Sequence, residues 1–88
     1  MPSPVTPLMI DTEIVSAQYH VFPGTTLTVC CLVLRNGFTV TGQSACIDPA
    51  DFDKELGEQT AYRKARDEVW NLLAYRARDS FAEMVTNT

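Results

Sequence analysis

Residues 24–47, GTTLTVCCLVLRNGFTVTGQSACI, decide the fold. Asn36-Gly37 at their centre predicts a β-hairpin, because both central residues of a type I′ turn need positive φ and Asn-Gly accepts that conformation readily. Counting outward from a two-residue loop, Arg35 faces Phe38, Leu34 faces Thr39, Val33 faces Val40 and Cys31 faces Gly42. Val29 then faces Ser44 and Leu27 faces Cys46. Side chains alternate across a strand, so Leu27, Val29, Cys31, Val33, Phe38, Val40 and Cys46 share one face, the expected core face. Thr28, Cys30, Leu32, Leu34, Thr39, Thr41, Gln43, Ala45 and Ile47 share the other. Cys30, Leu32, Leu34 and Ile47 make this second face too apolar for water, and it is expected to be left for a partner.

Outward from the hairpin, residues 13–22, EIVSAQYHVF, alternate loosely and predict a strand that Pro23-Gly24 turns into residues 25–35. Apolar on both faces, 25–35 is expected in the middle of the sheet. Residues 1–12 contain three prolines and no periodicity and read as a flexible N-terminal arm. Asp48-Pro49 is a helix-start signal. The following DPADFDKEL reads either as a single turn or as the opening of a long helix. Gly57 either ends that turn or sits inside the helix.

From Glu58 onward, Ala61, Ala65, Val69, Leu73, Ala77, Phe81 and Met84 recur at steps of four and three, an amphipathic stripe that Leu56, Trp70 and Leu72 widen. Trp70 reads as core. A helix of ~27 residues spans ~40 Å, whereas a ten-residue strand spans only ~33 Å. The far end of the helix, around Phe81 and Met84, is therefore expected to overhang the sheet and pack on another copy. The fold class is α+β: a small antiparallel meander of two to four strands, built on the Asn36-Gly37 hairpin, against one long C-terminal helix. Residues 13–88 form a single domain.

At 88 residues the chain buries a thin core, which favours self-association into a homodimer or larger homo-oligomer. A net charge of −4 argues against general nucleic-acid binding. No apolar run approaches the ~20 residues of a membrane span, and the N-terminus lacks the basic and apolar regions of a signal peptide. A cytoplasmic protein is expected. Cys30 and Cys31 point to opposite faces, and Cys31 and Cys46 lie ~13 Å apart in register, so all three read as buried free thiols.

The chemistry-bearing residues favour binding over catalysis. The chain has no CxxC, HExxH, GxSxG or phosphate-cradling glycine loop. His20, Cys30, Cys31 and Cys46 lack paired metal-ligand spacing, so neither a metal site nor a cofactor is expected. Six of the seven basic residues lie between Lys54 and Arg78. Acidic groups interleave with them, which fits a solvated face laced with ion pairs. Arg63 and Arg66 are neighbours on the helix surface beside Tyr62. Guanidinium groups grip phosphates and aromatic rings stack on bases, so these three form a candidate nucleotide site. Tyr19, His20 and Thr25, around the Pro23-Gly24 turn, form a second candidate phosphate-receiving surface.

The pattern Tyr19-His20…Pro23-Gly24-Thr25…Thr28…Cys30, Asn36-Gly37-Phe38 and Gly42…Ser44-Ala45-Cys46 resembles a family of small tailed-phage proteins. That family is named for gene product forty-nine of phage N4 and gene sixty-six of phage Sf6. Pro49…Phe52-Asp53…Gly57 and then Ala61, Ala65, Trp70 and Tyr75 continue the likeness, over about residues 14 to 80. More loosely, the chain looks like the Thoeris anti-defence sponge proteins. This implies a non-enzymatic phage protein of the host cytoplasm that assembles into dimers or hexamers. It would sequester a signalling nucleotide, a cyclic ADP-ribose isomer or a cyclic oligonucleotide. The alternative is a protein–protein inhibitor such as an anti-CRISPR protein, with Asp48, Asp51, Asp53, Glu55 and Glu58 mimicking phosphates. A minor virion protein is a third reading.

Overall fold

The computed structural model describes residues 5–86. Helix α1 (Pro7–Glu13) leads into three antiparallel strands, β1 (Ile14–Val21), β2 (Leu27–Leu34) and β3 (Thr39–Ala45), in the order β1-β2-β3. A 3₁₀ turn (Pro49–Asp51) and the 33-residue helix α2 (Lys54–Thr86) complete the described residues. The α+β class, the central place of β2 and the long C-terminal helix agree with the sequence.

The hairpin register does not. Gly37 N–H donates to Leu34 O and Leu34 N–H to Phe38 O, both at 2.8 Å, and within this loop only Gly37 has positive φ, at 89°. The loop is thus three residues, a type I turn closed by Gly37 as a bulge. Asn36 Oδ1 contributes by accepting from Phe38 N–H. Adding one residue to the loop shifts the pairing by one, so Leu32 faces Val40 and Cys30 faces Gly42. A one-residue slip exchanges the faces of one strand relative to the other. The core face therefore carries Thr28, Cys30, Leu32 and Leu34 with Val40 and Gly42, all buried. Leu27, Val29, Cys31 and Val33, expected in the core, lie half-buried on the open face, and Phe38 is exposed at the hairpin tip.

Helix α2 makes this choice. A Cβ on Gly42 would strike Ala61 O and Ala65 N and come within 2.9 Å of the Lys64 carbonyl carbon, so the helix backbone rests directly on β3. Ala61, Ala65, Val69 and Leu73 form the buried side of α2, as their spacing predicts. Leu56, Trp70 and Leu72 do not widen it; all three are exposed, and so are Phe81 and Met84.

The start of α2 resolves the open alternatives. Asp48 caps only the 3₁₀ turn, through Ala50 N–H. Asp53 then accepts from Leu56 N–H through its side chain and from Gly57 N–H through its carbonyl, beginning α2 with Gly57 inside it.

The expected arm contains structure. Thr6 Oγ1 accepts from Met9 N–H, Pro7 occupies the first turn, and Val5 and Ile10 are buried in the core. Residues 1–4 of that arm lie outside the described residues. Two polar ties hold α1 in place. Arg66 donates to Asp11 Oδ1 at 3.0 Å and to Pro7 O at 3.3 Å. The buried Glu13 carboxylate faces Arg35 at 3.5 Å and Arg76 at 3.4 Å, joining α1, the hairpin tip and α2.

Candidate functional site

Helix α2 lies over β2 and β3 and leaves the same side of β1 uncovered. The uncovered strip and the helix flank enclose an open groove of ≈ 360 Å³, lined by Tyr19, Glu55, Glu58, Gln59 and Tyr62. Tyr19 reaches it because β1 alternates: Tyr19 pairs with buried Cys30 and so points to the helix side. Glu55, Glu58, Gln59 and Tyr62 stand three and four residues apart, on one flank of α2. Two aromatic rings, two carboxylates and an amide give faces for stacking a planar group and acceptors for its hydroxyl or amino edge.

The candidate residues therefore separate. Tyr19 and Tyr62, on elements far apart in sequence, come together. Arg66 stands one turn beyond Tyr62 on the same flank, held by Asp11. Arg63 follows Ala61 by two residues, about 200° around the helix, and lies exposed on the back of α2, away from the groove. His20 points to the open sheet face, where its ring meets Phe22 edge-on at 4.6 Å. Thr25 serves its turn: its hydroxyl donates to Phe22 O at 2.7 Å and accepts from Leu27 N–H. Glu55, Glu58 and Gln59 were missed as groove residues. Their i, i+3, i+4 spacing with Tyr62 was legible, but which flank of the helix β1 leaves open was not.

Beside the groove Tyr19 stands directly opposite Cys30 across the β1–β2 ladder. Burial pushes the Tyr19 phenol above its ordinary 10.0, and the Cys30 thiol, then Glu58, push the same way. Burial also raises Cys30 above its ordinary 9.0, while the neighbouring Tyr19 hydroxyl pulls it back in part. Both groups hold their protons more tightly in the folded chain than in the unfolded one. Stability is thus fully present at neutral pH and falls as pH rises through 9.0 and beyond, where the unfolded chain ionises first. Urea unfolding at neutral and at alkaline pH should show the midpoint dropping, and dropping less in Cys30→Ala.

Among the described residues no group of three or more His, Cys, Asp or Glu side chains is placed to hold a metal ion. The three cysteines are free: Cys30 is buried, Cys31 and Cys46 half-buried. No described helix is long and apolar enough to cross a membrane. No curated protein and no solved structure gives a significant match to the chain. A family model does match, over residues 5–81, which takes in α1, the whole sheet and α2 as far as Phe81. The chain belongs to the phage protein (N4 Gp49/phage Sf6 gene 66) family.

Proposed function

We propose that this phage protein is a non-catalytic binder that sequesters a host signalling nucleotide, a cyclic ADP-ribose isomer or a cyclic oligonucleotide, in the groove between β1 and α2. The observation that carries this reading is the convergence of Tyr19 and Tyr62 on one solvent-open groove beside two carboxylates. The rings offer stacking surfaces for a base, and Glu55 and Glu58 offer acceptors for ribose hydroxyls or an exocyclic amine. Arg66 supplies the phosphate contact. Its pair with Asp11 is partly solvated, with side-chain exposures of 29% and 58%, and solvated pairs contribute little, so a phosphate can displace it. Such a protein acts by stoichiometric capture in the host cytoplasm.

The test is native mass spectrometry after incubation with extract of cells whose nucleotide-signalling defences are active. Titration with cyclic ADP-ribose isomers and cyclic dinucleotides then follows. Stacking contributes roughly 1–3 kcal/mol per base, so Tyr62→Ala should weaken binding about 10- to 100-fold with the fold intact. Arg63→Ala should change it little. Absence of any nucleotide of either class from the recovered protein would overturn the reading.

One observation favours a second reading, a protein–protein inhibitor. Asp51, Asp53 and Glu55 are exposed together at the start of α2. The ion pairs of the described residues all run instead to Asp11 and Glu13. A surface of carboxylates that make no ion pair among the described residues suits a basic partner. Affinity capture from host lysate that loses its protein partner on Asp51→Lys with Glu55→Lys would support that reading.

A further inference from the structure

We infer that Glu58 reads the pairing edge of a guanine, so that the groove between β1 and α2 takes a guanine-bearing cyclic oligonucleotide in preference to an adenine-bearing ligand. The inference rests on the nucleotide reading of that groove and narrows it. Glu58 differs from Glu55 in its surroundings. Glu55 is exposed, whereas Glu58 is half-buried and shares the groove wall with Tyr19 and Tyr62. Its charge reaches the Tyr19 phenol and the Cys30 thiol and helps both to keep their protons. Among the described residues no cation answers it: the ion pairs run to Asp11 and Glu13, and Lys54, one turn back on α2, makes none with Glu58. A carboxylate partly withdrawn from water without a cation is short of donors. A ligand that brings donors to it gains more than one that meets a fully solvated group.

The count of donors selects the base. An ionised carboxylate only accepts, through two oxygens side by side. Guanine presents two adjacent donors, N1–H and the exocyclic N2 amine, which such a pair of oxygens accepts together. Adenine places an acceptor, N1, beside its N6 donor, and cytosine places N3 beside its N4 donor, so each sets a lone pair against a carboxylate oxygen. Uracil has a single N3–H between two carbonyls. Gln59, next along the groove, carries an amide that can donate to guanine O6.

The order of groups along α2 fits the same ligand. Glu58, Tyr62 and Arg66 follow at four-residue steps, about 6 Å apart, as edge reader, stacking ring and phosphate donor. Among the described residues no ring packs on Tyr19 or Tyr62, so a base has no ring to displace. At ≈ 360 Å³ the groove is sized for one base with its sugar, and the rest of a cyclic ligand lies outside it.

Isothermal titration of the full chain with cyclic di-GMP and with cyclic di-AMP is the experiment. Cyclic di-GMP should bind about 10- to 100-fold more tightly, the scale of one bidentate base contact. Cyclic di-IMP, which lacks the N2 amine, should bind several-fold more weakly than cyclic di-GMP. Glu58→Gln replaces one accepting oxygen by a donor at nearly the same size. It should lower affinity for cyclic di-GMP about 10-fold or more and bring the two ligands within about threefold of each other. A melting temperature like that of the wild type establishes that the variant folds. Equal binding of the two ligands by the wild type overturns the inference and leaves the nucleotide reading standing, as does binding of a cyclic ADP-ribose isomer alone. Discrimination that survives Glu58→Gln overturns it too, because another group then reads the guanine. Binding of no nucleotide overturns both.

Discussion

Gly42→Val should unfold this protein or leave it barely folded. Any Cβ at position 42 points into the backbone of α2, at Ala61 O and Ala65 N, and the nearby Lys64 carbonyl carbon is backbone as well. A side chain that meets another side chain can be accommodated by a rotamer change. One that meets helix backbone requires the helix to lift. Lifting α2 by even ~1 Å opens the contacts of Ala61, Ala65 and Val69 with Cys30, Leu32 and Val40, which are the centre of the core. Overpacking in a well-packed core costs about 1–3 kcal/mol, and this site, with no flexible neighbour to yield, belongs at or above the top of that range. For a chain this small that is a large share of its total stability. Thermal denaturation followed by circular dichroism decides it. A melting temperature within about 5 °C of wild type would show that α2 does not seat on β3 in this way.

The second large effect tests the register. Leu32→Ala removes a side chain that is fully buried between the sheet and α2 and should cost about 2–5 kcal/mol. Val33→Ala, one residue along on the half-covered face, should cost under about 1 kcal/mol. A two-residue type I′ loop at Asn36-Gly37, with the odd-numbered residues of β2 in the core, requires the reverse order. Urea unfolding of the two variants therefore separates the three-residue loop from the two-residue one in a single comparison. Equal losses would mean that both faces of β2 are covered, as in a dimer that packs through the open face.

The register was beyond the sequence because the signal is local and the decision is not. Asn36-Gly37 supports either a two-residue loop or a three-residue loop with Gly37 as the bulge, and these differ by a fraction of the energy of burying a strand face. What tips the balance is whether Gly42 shares a face with Leu32, since only then can α2 rest its backbone on the sheet. Gly42, Ala61 and Ala65 were all readable as small residues, but their mutual contact joins positions about twenty residues apart.

Helix α1 was missed for a different reason. Thr6-Pro7 is a capping pair, a hydroxyl acceptor followed by a residue suited to the first turn, yet it stands among prolines in a stretch without periodicity. At seven residues the helix is too short to hold itself. It exists through Val5 and Ile10 in the core and through Arg66, which reaches Asp11 and Pro7 from the opposite end of the sequence.

The candidate site divides along the same line. That Tyr62 and Arg66 share a flank of α2, with Arg63 on the other side, follows from helical geometry. That Tyr19 joins them, and that His20 and Thr25 do not, depends on which strip of the sheet the helix leaves bare.

The sequence by itself determined what short-range chemistry can determine. It set the turn positions, the strand order of a meander, the apolar spacing that runs through Ala61, Ala65, Val69 and Leu73, and a helix longer than its sheet. Each follows from residue spacing and backbone preference within a few residues. Only the tertiary structure decided which face of the sheet becomes the core, where α1 lies, and which side chains meet in the groove beside β1. Those outcomes rest on the docking of α2 against Gly42, a contact between backbones that no periodicity in either segment encodes.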